Sequence, residues 1–415
     1  MIGIVLLLYA VAYAYIIFLP QISSVTTFLF GLTSVLVIGN FDFSRLSLII
    51  DFNTLFILLG MMTLVSILKE NGVFVEISKI ILKASRGRVY VTIFFIYIAI
   101  FFLSSFLDNV TTILIFIPIL FYISDALRID SKMLLINAVL FSNLGGMTTA
   151  IGDPPNIIIY SVSRLSFISF ITHLMPVGVT LLLVQFAFLG KKLHAEGVNT
   201  IFQSDVENDT FESRKWRYYL LAFVFIATLM AFHEKLGIEL GIVTVLGAMS
   251  ILFIEGKNFQ SVVNEIDWDT LLLITGLYFL NFSIEHLDFY RPFVLALSKI
   301  NSPYLLVLVV LWSSILLTGF LSALPVTLMY LVIIKKLVLG GALSTLYWAL
   351  AIGVGIGGNL TPVASMCNIV ANNLFKNLKN ERLTFLEFTK NMLKPVLLSG
   401  IISSVFLLIF SFIGF

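Results

Sequence analysis

Charge is what this chain has least of: only 12% of its 415 residues are Asp, Glu, Lys or Arg. A soluble domain carries about 25%, so a fold with water on every side is excluded. The formal net charge is +2, and the basic residues are dispersed among short segments, which leaves no footprint for nucleic acid. A single cysteine, Cys367, excludes an intrachain disulfide and a thiolate metal cluster. The four histidines fall in no His-Glu-x-x-His spacing, and no nucleophile–base set of the intramembrane-protease kinds is evident. No catalytic residue, cofactor or structural metal is therefore assigned, and the chain does not read as an enzyme. A basic n-region is missing ahead of Ala12-Tyr13-Ala14, so the apolar start reads as a first span and not as a cleaved signal.

What is abundant is apolar length. Hydrophobic residues make up 59% of the chain, and the mean hydropathy is +1.06. Apolar runs near 4–20, 22–40, 53–69, 132–150, 167–189, 217–233, 238–255, 268–286, 341–358 and 395–412 each have membrane-crossing length. Two further stretches, 89–123 and 303–334, are too long for one crossing and carry small or polar residues at their centres. The expected fold class is an all-α polytopic membrane protein, with the lipid bilayer as its first partner. With the N-terminus outside and both long stretches returning to the side they entered, 18 of the 25 Lys and Arg face the cytoplasm and 7 face outside. That is the direction the positive-inside rule demands. Both termini are then outside, and the charged segment 190–216 is a cytoplasmic linker.

The linker separates two related halves, 1–189 and 217–415. Ile50-Asp51-Phe52-Asn53-Thr54-Leu55 returns as Ile266-Asp267-Trp268-Asp269-Thr270-Leu271, with Gly60 matching Gly276. Gly145-Gly146, Thr149 and Asn156 return as Gly357-Gly358, Thr361 and Asn368. An odd number of crossings separates the copies, so the halves are expected to be inverted, each with about five spanning helices, one re-entrant hairpin and a broken helix. Such repeats are the usual architecture of secondary transporters, with the substrate near the midplane. Asp51 and Asp267 begin helices, where a carboxylate caps favourably.

Ionisable residues inside a bilayer usually face a cavity or a partner. Asp108 is the only charged residue of 89–123, and Asp153 the only one of 133–163. They either flank an ion site or lie in surface turns, where Asp-Asn and Asp-Pro-Pro are ordinary. Gly145-Gly146, Gly152 and Pro154-Pro155 interrupt the helix over 132–163, and Gly357-Gly358-Asn359-Leu360-Thr361-Pro362 interrupts that over 341–375. Broken backbone in a membrane is tolerated only where it lines a cavity or is otherwise satisfied. Freed carbonyls suit a small cation, and half-helix N-termini suit an anion.

Asp108-Asn109-Val110-Thr111-Thr112 with Pro118, and Gly145 through Asn156 ending in Gly-Asp-Pro-Pro-Asn, resemble signatures of the ion transporter superfamily. The resemblance is nearest to the arsenite efflux permease (ArsB-type) and P-protein branch, with its citrate-transporter-like domain. More distant relatives are the divalent-anion:sodium symporters and NhaD-type antiporters. It implies re-entrant hairpins at 89–123 and 303–334, a dimerising scaffold and a transport part that moves as an elevator. It places a coupling cation, H⁺ or Na⁺, at Asp108, Asn109 and Gly152, to which the reading of intramembrane charge adds Asp153. Thr111, Thr149, Asn156, Thr361 and Asn368, with Ser322 at the second tip, are implied to line the substrate cavity. The chain departs from the pattern at Ser322-Ala323, where relatives carry an Asp-Asn or Asn-Asn pair, so a second cation site is not expected.

The function expected is ion-coupled transport of a small inorganic anion or metalloid oxyanion, with arsenite efflux favoured and an efflux ATPase as a partner in that case. A Na⁺/H⁺ antiporter and a di- or tricarboxylate carrier are the alternatives within transport. An ion channel is the alternative outside it.

Overall fold

In lipid a helix satisfies its own backbone, and this chain is built from little else. The computed structural model describes residues 2–39, 44, 46–86, 88–127, 129–195 and 215–413. Most of the expected linker, 196–214, lies outside the described residues, as do Arg45 and Arg128 of the charge count. Among the described residues every regular element is a helix.

The first half runs α1 (Ile2–Phe18), a 3-10 turn (Pro20–Ile22), α2 (Ser23–Ile38), the single turn α3 (Leu46–Ile49), α4 (Phe52–Glu70) and α5 (Val73–Ala84). The helix pair α6 (Val89–Ser104) and α7 (Asn109–Leu127) follows. A broken helix, α8 (Ser131–Gly146) and α9 (Pro154–Ser163), leads into α10 (Phe167–Ala195). The second half repeats the order with α11 (Trp216–Leu236), α12 (Leu240–Glu255), the single turn α13 (Gln260–Val263), α14 (Trp268–His286) and α15 (Arg291–Ser298). Then come the pair α16 (Pro303–Leu321) and α17 (Ala323–Leu339), the broken helix α18 (Thr345–Gly357) and α19 (Met366–Lys379), and α20 (Phe385–Ile413).

Among the described residues six helical segments, α2 with its preceding turn, α4, α10, α11, α16 and α20, are long and apolar enough to cross a membrane unaided. The helix α8 stops at Gly146, four residues before the end of its apolar run, where the first break begins, and α18 starts only at Thr345 and stops at Gly357, where the second begins. By contrast α20 starts ten residues before the expected 395 and continues through Pro395. Its added turns carry Glu387, Lys390 and Lys394, whose charge hid them from an apolar reading. The short helices α5 and α15 were not expected as elements; α5 buries only Val73, Phe74 and Ser78.

Local chemistry explains the helix starts. Asp51 Oδ1 accepts from the amides of Asn53 at 3.0 Å and Thr54 at 3.3 Å. Asp267 does the same for the amide of Thr270 at 3.0 Å and its hydroxyl at 2.6 Å. The paired glycines then set the packing. A Cβ on Gly60 would fall 2.7 Å from Thr244 Oγ1 in α12, and one on Gly276 would fall 2.5 Å from Phe28 N in α2. Each long helix thus packs backbone to backbone on the helix that precedes its counterpart.

Candidate functional site

Two helix pairs and two breaks converge at the centre of the molecule. In the first break, Gly145 and Gly146 permit close approach: a Cβ would lie 2.1 Å from the Phe101 carbonyl and 2.4 Å from Asn109 Oδ1, respectively. Pro154 and Pro155 restart the helix at its first positions, where no amide donor is needed. Two of the intervening carbonyls are paired by one side chain. Asn156 Nδ2 donates to the Met147 carbonyl at 2.9 Å and the Thr149 carbonyl at 2.8 Å. The Thr149 hydroxyl donates to the Ser105 carbonyl in the α6–α7 tip and accepts from the Gly152 amide at 3.1 Å.

The second break is locked in the same way. Asn368 Nδ2 donates to the Gly358 carbonyl at 2.7 Å and the Thr361 carbonyl at 2.8 Å. The Thr361 hydroxyl donates to the Gly319 carbonyl in the α16–α17 tip at 2.5 Å. Ser105 and Gly319 therefore correspond, and Asp108-Asn109 stands where the second tip has Ser322-Ala323.

The tips themselves differ. Asp108 caps α7: its Oδ1 accepts from the Thr111 amide at 2.9 Å and its Oδ2 from the Thr111 hydroxyl. Asn109 accepts from Ser104 Oγ at 2.5 Å and donates to Asn143 Oδ1 at 3.2 Å. At the second tip Ser322 has φ 71° and ψ 157°, a region almost reserved for glycine. Tyr13 of α1 holds this tip through a 3.2 Å hydrogen bond to the Pro325 carbonyl.

Between the tips lies a cavity of about 330 Å³. Of the residues singled out from sequence, Asp108, Asn109, Thr111, Asp153 and Ser322 line it. Thr149, Gly152, Asn156, Thr361 and Asn368 are buried one layer behind, holding the breaks in shape. Ser365 and Cys367 from the second break complete the wall, and Ser66, Lys69, Glu265 and Asp267 close it from α4 and the start of α14. Among the described residues, Lys69 is the one basic side chain in this lining, and it sits 2.5 Å from Glu265. The inner wall thus carries two carboxylates, Asp108 and Asp153, in one confined space.

Sequence reasoning missed Asn143 and Ser142, which are buried in the middle of this polar cluster. The available signal was a Ser-Asn pair inside the otherwise apolar run that ends in Gly145-Gly146.

The profile of the citrate transporter family matches residues 13–353. An uncharacterized transporter of Mycobacterium bovis is 30% identical over 352 residues, covering 82% of each chain. The P protein of Homo sapiens is 26% identical over 450 residues, covering 87% of this chain and 54% of its own length. The solved YdaH transporter of Alcanivorax borkumensis superposes with a TM-score of 0.63 at 14% identity, over 90% of this chain and 88% of that one. That likeness shows a shared fold.

Proposed function

The chain belongs to the citrate transporter family and is a secondary transporter; we propose that its transport is coupled to a cation, H⁺ or Na⁺, held beside Asp108. The observation that carries this reading is the pair Asp108 and Asp153 facing one cavity whose lining cation, Lys69, is already paired. Such a wall repels a free polyanion. It suits a neutral oxyacid such as arsenous acid, held by hydroxyl and amide groups, or an anion that enters together with its cation. Arsenite efflux remains the favoured specific substrate on the motif resemblance. A di- or tricarboxylate is the second reading, favoured by the family match.

The two halves are read as inverted repeats that exchange access by an elevator-type movement, on a scaffold that dimerises. The repeated locks at Asn156 and Asn368 and the crossed glycine packing at Gly60 and Gly276 support the duplication. The cavity reaches Pro20, Ser23, Lys69 and Glu265, all at the end that the basic-residue count assigns to the cytoplasm. The arrangement is therefore read as inward-facing.

The reading is tested in proteoliposomes with citrate and arsenite as probes, under an imposed Na⁺ or pH gradient. Gradient-dependent flux of one probe is expected, and Asp108→Asn is expected to abolish the dependence. Undiminished ion dependence in that variant sinks the assignment.

A further inference from the structure

We propose that Asn143 is a positioning residue whose amide carries the state of the first tip to the second break. Cation binding in one half thereby sets the cavity wall in the other. The inference rests on the cation reading above.

Asn143 lies on α8, three residues before its end, and is 2% exposed. A side-chain amide offers two donors and two acceptor positions, and here all four are engaged outside its own helix. Its Oδ1 accepts from Asn109 Nδ2 at 3.2 Å and Ser365 Oγ at 3.3 Å. Its Nδ2 donates to Asn359 Oδ1 at 3.0 Å and Asn368 Oδ1 at 3.2 Å. Asn109 adjoins Asp108 and lines the cavity, as does Ser365. Asn368 is the residue that fixes the Gly358 and Thr361 carbonyls. One side chain therefore joins the proposed cation site to the lock of the opposite break.

The repeat argues against a purely architectural role. By the Gly145-Gly146 and Gly357-Gly358 alignment, Asn143 corresponds to Gly355, and Asn359 to Met147. Those counterparts meet as an apolar contact, with a Gly355 Cβ position 2.5 Å from Met147 Cβ. The same helix crossing is thus built once with an amide pair and once without any polar group. Within the buried network each bond polarises the next. If a cation draws on Asn109 Oδ1, now held by Ser104, the Asn109 amide turns and its donor leaves Asn143. That leaves Asn143 Oδ1 to Ser365 alone and alters the wall around Cys367.

Cys367, the chain's one cysteine and part of that wall, supplies the readout. Purified full-length protein is labelled with N-ethylmaleimide in sodium chloride against choline chloride, and in acid against alkaline buffer. Each rate is divided by that of a free cysteine thiol in the same buffer, because only the thiolate reacts. Melting temperature under the same conditions reports cation binding itself. In the wild type the stabilising cation is expected to change the labelling rate at least about fivefold, the lower end of ordinary coupling between sites. Asn143→Ala is expected to keep the melting response and to lose the labelling response. Asn359→Met, which copies Met147, is expected to do the same and serves if Asn143→Ala does not fold. A folded variant whose labelling still follows the cation as in the wild type overturns the proposal. So does a wild type stabilised by cation without any change in labelling. A wild type with no cation effect on melting overturns the underlying site reading as well.

Discussion

The two tips face the same cavity, hang from the same backbone locks and carry different chemistry. Around the first stand Asp108, hydrogen-bonded to Thr111, and a cluster of Asn109, Ser104, Ser142 and Asn143 joined by hydrogen bonds. Around the second stand Ser322 and Ala323, and the hydroxyl of Thr318, counterpart of Ser104, is buried with no partner. The lock consists of groups that answer backbone carbonyls, which both breaks must satisfy in lipid. The tips consist of groups that line the cavity, and only one tip carries an acid and an amide. Conserved architecture and divergent chemistry are thereby separated within one molecule.

The largest expected effects test the shared part. Asn156→Leu and Asn368→Leu each leave two buried carbonyls unpaired, at about 1–3 kcal/mol per carbonyl. Both variants are expected to lower the melting temperature in detergent steeply, Asn368→Leu somewhat more because it also strands an Asn143 donor. If one is tolerated and the other is not, the locks are not equivalent and the comparison fails at its foundation.

Next come the tips, where unequal effects are expected. Asp108→Asn removes a charged ligand worth about 1.5–3 kcal/mol, a loss of roughly tenfold or more in cation affinity. Ser322→Ala, at the matching position, is expected to leave that affinity within about twofold. Titration of the Na⁺- or pH-dependent melting shift measures both, and equal losses in the two variants would place the cation between the tips instead of at the first.

A smaller effect is expected from the glycines that precede the breaks. A methyl on Gly146 would press on Asn109 at 2.4 Å, whereas on Gly358 the nearest atom is 3.5 Å away. Gly146→Ala is expected to cost about 1–3 kcal/mol by overpacking and to weaken the cation response. Gly358→Ala is expected to be close to neutral in both assays. A harmless Gly146→Ala would show that Asn109 need not sit where its amide now rests.

The two helix pairs and the two breaks were legible from sequence because their residues have strong backbone preferences. Gly145-Gly146 and Pro154-Pro155 cannot continue an ordinary apolar span, and the stretches 89–123 and 303–334 are too long to be one. Short amphipathic helices were not legible: α5 and α15 have 12 and 8 residues, and charge interrupts or flanks them. The use of each polar residue was legible only in part. A threonine or asparagine amid apolar sequence either faces a ligand or pairs a freed carbonyl, and both uses leave the same trace. Asp108 and Asn109 face the cavity, while Thr149, Asn156, Thr361 and Asn368 pair with carbonyls behind it. Asn143 escaped notice because its partners come from 34 to 225 residues away in the sequence.

The smallest expected effect concerns strain, which is stored on one side only. Ser322 holds φ 71° at the second tip, and its counterpart Asp108 has no positive φ. A non-glycine residue there costs about 1–3 kcal/mol and persists only where its surroundings enforce it. Ser322→Gly removes the side-chain clash but gives the unfolded chain more freedom, which returns part of the gain. A net stabilisation of about 1 kcal/mol is expected, seen as a modest rise in melting temperature. Because Asp108 and Asn109 are untouched, the cation-dependent shift is expected to stay as in the wild type. A lower melting temperature would mean that the serine hydroxyl holds the tip, and that the second tip is not the chemically emptied one. A rise in stability with an altered cation response would mean that strain at one tip is felt by the ligand at the other, joining the two regions that the residues themselves keep apart.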